Sequence, residues 1–120
     1  RSSDLTLNVM MAVQESNTDA DLAYYVHAFV TQGDTDNLRG TLLANYNDLN
    51  TNEWGTTALG KALSAAASLT AVSALTGDRI VIEIGYRARN TLTSSRSGTI
   101  YYGRLACWWN RNCQRQHIYT

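Results

Sequence analysis

Proline is missing from all 120 residues. Every backbone amide can therefore donate to a ladder, and no strand is confined to a sheet edge by a lost N–H. Edges in such a chain must be guarded by loops, twist or neighbours instead. An excess of charge is missing too: ten basic and ten acidic residues cancel. Affinity for a nucleic-acid backbone is supplied by a basic stripe, so no nucleic-acid partner is expected. Lysine occurs once, at Lys61. The surface must then draw its polarity from Thr, Ser, Asn and Asp, which suits a loop-rich β protein carried outside a cell. Long apolar runs are also lacking. The longest, at residues 80–84, is interrupted by Glu83 and falls far short of the roughly 20 residues that cross a bilayer, so no membrane contact is expected. The chain starts at Arg1 with neither a methionine nor an apolar leader, which reads as a processed product or a piece of a longer chain.

What is present is alternation. Leu5, Leu7, Val9, Met11 and Val13 alternate with mixed residues, predicting a half-buried strand. After a turn cluster at residues 17–21, Tyr24, Val26, Ala28 and Val30 alternate with Tyr25, His27 and Phe29, as in a central strand covered on both faces. Gly33-Asp34-Thr35-Asp36 punctuates the chain, and a third strand follows over residues 38–46. Residues 58–69 are ambiguous: Leu59, Leu63 and Ala66 fit a helical stripe and local propensity favours a short helix, while a family resemblance carried by residues 77–90 and 101–103 implies a small-residue loop leading into a strand at 68–75, the reading preferred here with a helix of one or two turns kept open. Gly77-Asp78 then launches Arg79-Ile80-Val81-Ile82-Glu83-Ile84-Gly85-Tyr86-Arg87, with Ile80, Ile82, Ile84 and Tyr86 on the apolar side, and Thr99-Ile100-Tyr101-Tyr102-Gly103 makes a further strand. Seven or eight strands joined by connections too short for crossover helices predict an all-β, antiparallel two-sheet β-sandwich, jelly-roll-like. A chain of this length can bury one core over roughly two thirds of its unfolded surface. The sandwich domain is placed at residues 1–103 and a tail of atypical composition at 104–120.

Few residues offer chemistry. Glu83 is the carboxylate set inside an apolar strand, where burial can make a general acid, but glycoside hydrolysis asks for a second carboxylate across the scissile bond. The preferred reading is a structural ion pair of Glu83 with Arg39 or Arg87. His27 reads as a packed histidine, and His117 stands alone in the tail. No Ser-His-Asp arrangement, His-Cys cluster or phosphate loop is seen, so no catalytic residue and no cofactor is expected. Asp19 and Asp21, then Asp34 and Asp36, repeat a spacing that offers oxygen ligands to calcium, although Asp in turns is amply explained by backbone hydrogen bonds. Among the aromatics, Trp54 lies in a polar loop beside Asn52 and Glu53 and is the one expected to be exposed, as a face for stacking on a sugar.

The words at 77–90 and Tyr101-Tyr102-Gly103, supported by Val30-Thr31-Gln32-Gly33-Asp34, Arg39-Gly40-Thr41-Leu42-Leu43 and Glu53-Trp54, resemble a domain of uncharacterised structural proteins of tailed bacteriophages. The likeness covers residues 22–103. It implies a virion component, such as a capsid decoration, tail or fibre-associated module, whose motifs are structural. The tail departs from it. Both cysteines and two of the three tryptophans crowd into residues 105–117. A disulfide between Cys107 and Cys113 suits a hairpin in an oxidising setting, and a zinc site would want further ligands. A reading-frame change is the third alternative, because Trp108-Trp109 read one nucleotide later gives Gly-Gly. The expected function is that of a non-enzymatic virion structural protein, located in the particle and acting through homo-oligomeric contacts or contacts with other virion proteins. The alternative is a secreted carbohydrate-binding module recognising a glycan through Trp54.

Overall fold

The computed structural model describes residues 5–48, 52–89, 94–102 and 116–119. Nine strands form within them: β1 (Thr6–Leu7), β2 (Met10–Glu15), β3 (Leu22–Thr31), β4 (Leu38–Asn47), β5 (Leu59–Ala62), β6 (Ala67–Ser68), β7 (Arg79–Ala88), β8 (Gly98–Tyr102) and β9 (Gln116–Tyr119). Among the described residues there is no helix, so the ambiguous segment at 58–69 resolves into β5 and β6. Its helical stripe loses because Leu63 and Ala67 are wanted in the core, and tertiary burial overrides local propensity. The strand expected over residues 68–75 is formed only at its start, in β6.

All pairings are antiparallel. One sheet has the order β5-β2-β8-β9 and the other β4-β3-β7, with β1 and β6 making a two-stranded ribbon. The first predicted strand is thus two strands interrupted at Asn8 and Val9. There the Asn8 side chain accepts from Val9 N at 2.7 Å and Leu63 N at 3.1 Å. The ribbon continues beyond the β2–β5 ladder and turns toward the other sheet: Thr70 N donates to Leu42 O of β4 at 2.8 Å. Segments that leave one sheet and bond the other are how sandwiches close a corner. The tail contributes β9, whose backbone lies beside β8 from Thr99 to Tyr102.

The core lies between the two main sheets. Val13 and Ile100 from one face Leu22, Tyr24 and Val26 from the other, joined by Val9, Ala20, Trp54, Leu63 and Ala67. Tyr24 also spans the gap with its hydroxyl, which donates to Lys61 O at 2.7 Å on β5. Burial raises its pKa to about 12, so the phenol stays a donor throughout the ordinary pH range. β3 is central, as the alternation predicts, but the face carrying Tyr25, His27 and Phe29 is only half-buried. The His27 ring lies 5.2 Å from that of Phe29, and its Nδ1 accepts from Asn45 N at 3.4 Å.

Candidate functional surface

The β3–β7 ladder runs unbroken from Leu22 opposite Ala88 to Thr31 opposite Arg79. Residues directly opposite share a face, so Ile84, Ile82 and Ile80 lie on the same side as Val26, Ala28 and Val30. This is the inner face of the sheet, as the sequence predicts. It is not covered along its whole length. Tyr86 and Ile84 are packed against the core, whereas Ile82 is 46% and Ile80 66% exposed. The sheet runs out from beneath its partner.

The two margins of that sheet differ. At the β4 margin, Val72 sits over Gly40, so closely that a Cβ there would meet Val72 Cγ1 at 2.9 Å. Thr70 N is bonded to Leu42 O, so this chain segment occupies the β4 edge at that point. Val30 in the middle is buried. On the far side, no strand among the described residues pairs with the outer edge of β7, and unpaired ladder edges are sites for adding another strand. Leu75 and Leu38, both more than half exposed, border the same end. On the opposite face, Phe29, Thr31, Thr35, Arg79 and Val81 line a shallow hollow of about 410 Å³.

A latch fixes the start of β7. Gly77 takes φ 91° in the turn closed by Asp78 N donating to Leu75 O at 3.0 Å, the left-handed backbone that a type II turn reserves for glycine. Asp78 is then held by Arg39 through Nε at 2.8 Å and a second nitrogen at 3.2 Å. It also accepts from Leu75 N at 2.9 Å and Gly33 N at 3.1 Å. The Arg39 guanidinium, helped by these backbone donors, holds its carboxyl well below the usual carboxylate range. Arg79 follows, donating through Nε to Gly33 O at 3.0 Å.

Arg39 therefore pairs with Asp78 and not with Glu83. Among the described residues the ion pairs are Arg39–Asp78 and Arg96–Asp19. Glu83 and Arg87 are exposed on β7, and Glu83 lies opposite His27. The expected pairing gives way because Asp78, in the turn before β7, is the anion that meets Arg39 of β4.

Trp54 is corrected as well. It is 1% exposed and packs edge-on between Tyr24 at 5.3 Å and Tyr86 at 5.5 Å. Its loop is drawn inward by Trp54 N donating to Leu22 O at 2.8 Å. A polar loop can carry one apolar side chain into the core, and Trp54 offers no face to a sugar.

Two acidic residues are buried among the described residues, Asp48 and Glu15, the latter 2% exposed. Glu15 is the one set on a strand, β2. It follows Met11 and Val13 by the same period of two, the signal that places it inward. Its Oε2 accepts from Leu22 N at 3.0 Å, closing the β2–β3 connection. Burial pushes its pKa up, with Glu53 adding to the rise. Glu53 is raised in turn by burial and then by Asp21. Glu15, Glu53, Thr18, Leu59 and Lys61 line a cleft of about 540 Å³. Because Glu15 is committed to a backbone N–H, its place there is that of a turn-closing acceptor.

The calcium candidates do not converge. Asp19 is held by Arg96 through Nε at 2.5 Å and a second nitrogen at 2.8 Å, Asp34 and Asp36 are exposed, and Asp21 has left-handed backbone at φ 52°. Among the described residues no three His, Cys, Asp or Glu side chains gather as metal ligands, and no helix is long and apolar enough to cross a membrane. Cys107 and Cys113 lie outside the described residues; His117 is placed only by its backbone, opposite Tyr101.

Fold and surface together define an all-β, sandwich-like protein whose inner sheet face exposes Ile80 and Ile82 at one end. Compared with family models, curated proteins and solved structures, the chain matches none.

Proposed function

We infer that this protein is a non-enzymatic structural module, a component of a phage particle, that works by associating with copies of itself or with other virion proteins. The observation that carries the reading is the uncovered end of the inner sheet face, where Ile80 and Ile82 stand exposed on a strand without an outer neighbour among the described residues. Apolar side chains gathered on a bare ladder edge are costly to leave in water and mark contact surfaces. The likeness of residues 77–90 and 101–103 to phage structural domains supports the same reading, and the jelly-roll winding expected of such domains belongs to it.

Sedimentation of the purified chain over a dilution series tests this. Association that rises with concentration is expected, and Ile80→Lys with Ile82→Lys should abolish it while the far-ultraviolet β signal is retained. A chain that sediments as a monomer at every concentration would overturn self-association and leave the surface to other virion proteins.

A further inference from the structure

We propose that β7 pairs antiparallel with β7 of a second copy about a two-fold axis through Val81, joining the two β4-β3-β7 sheets edge to edge. This rests on the self-association reading above and names its surface and register. Three observations carry it. The outer edge of β7 has no described neighbour, whereas the β4 edge is bonded by Thr70 at Leu42 O and Val72 lies over Gly40. Exposure of the inner-face isoleucines is greatest at the Arg79 end of the strand. The charges of β7 are self-complementary in one register and self-repelling in another.

In an isologous contact, if residue i meets residue j then j meets i. Centring the axis on Val81 sets Arg79 opposite Glu83 of the second copy, and Glu83 opposite its Arg79. On the other face Ile80 meets Ile82 twice by the same symmetry. Both charged residues are exposed, and Arg79 keeps donors to spare beyond the one spent on Gly33 O. The four isoleucines form one continuous strip, covering the side chains that each copy alone leaves in water. Centring the axis on Glu83 instead brings Glu83 against Glu83 and Arg79 against Arg87, like charges at cross-strand distance. Centring it on Gly85 pairs Glu83 with Arg87 acceptably, but spends the contact on Ile84 and Tyr86, which already pack against the core. Only the Val81 register covers Ile80 and Ile82 while matching charge.

Sedimentation equilibrium on the full chain, with charge-reversal variants, tests the register. Arg79→Glu alone and Glu83→Arg alone should each weaken the dimer about tenfold or more, since two like-charge contacts replace two opposite ones. The double reversal should restore affinity, and Arg87→Glu should leave it unchanged; unfolding curves of each variant verify the fold. A dimer indifferent to both single reversals, or one whose double reversal fails to recover, overturns the register while self-association stands. Sensitivity to Arg87→Glu instead moves the axis to Gly85 and likewise overturns it. A strictly monomeric wild type overturns both the register and self-association, and leaves the edge to a strand of some other protein.

Discussion

Asp78 shows how much one side chain can organise. Its carboxylate gathers the turn before β7, the β3–β4 connection at Gly33 and the guanidinium of Arg39. A carboxyl whose folded pKa is depressed adds stability that is complete above its unfolded pKa, about 3.9, and is lost as pH falls toward the folded value. Asp78→Asn should therefore lower the unfolding midpoint at neutral pH, and the gap from wild type should shrink as the pH is taken below about 4; thermal unfolding across a pH series checks it. An unchanged gap in acid would mean that charge is not what the turn uses. Glu15 carries the opposite slope. Its folded pKa is raised above its ordinary 4.5, so its contribution is most favourable in acid and declines as pH rises through the folded value. The sequence held the signal for Glu15, which continues the alternation of Met11 and Val13, but not for Asp78, whose partner is on a different strand. A residue's own face is a local matter; its partner is set by register.

At the scale of elements, the alternating strands were legible and their exceptions were tertiary. β3 follows period-two burial closely enough to be read directly, whereas β4 and β7 alternate in residue type but not in burial. Residues 58–69 could not be settled by periodicity, since the same small residues suit a helix in isolation and a paired strand when Met10 and Lys61 lie on neighbouring elements. The burial of Trp54 has a similar origin: it fills the angle between Tyr24 and Tyr86, which only the assembled sheets bring together. β8 enters the core at that point through Gly98, where a Cβ would approach Leu22 Cδ1 to 2.4 Å and Trp54 to 3.2 Å. Gly98→Ala should accordingly destabilise by about 1–3 kcal/mol, the cost of overfilling a packed interior, as measured by urea unfolding. Gly85→Ala, with nothing within 4 Å of the added Cβ, is the matched control.

For the whole molecule, a core shared by two sheets and, at one margin, a strand with no described outer neighbour divide the labour between stability and contact. The alternation of β7 announced an apolar side; it could not say that half of that side would be left uncovered, because coverage depends on where the opposing sheet ends. If association uses Arg79 and Glu83 at the surface, it should weaken with added sodium chloride, since exposed charges are screened within about 10 Å at 0.1 M salt. The dimer constant measured against ionic strength checks this, and Ile80→Ser should reduce affinity without altering the salt slope. A slope that vanishes only in the Arg79→Ala variant would assign it to that cation.

The occupied β4 margin carries a last consequence. A sheet that could add neighbours on both flanks would stack without limit, the route by which bare strands become fibrils. With Thr70 bonded to Leu42 on one flank, the β4-β3-β7 sheet is hindered from growing on that side, and a larger lattice made from this unit would have to use the margins of the other sheet or one of its faces.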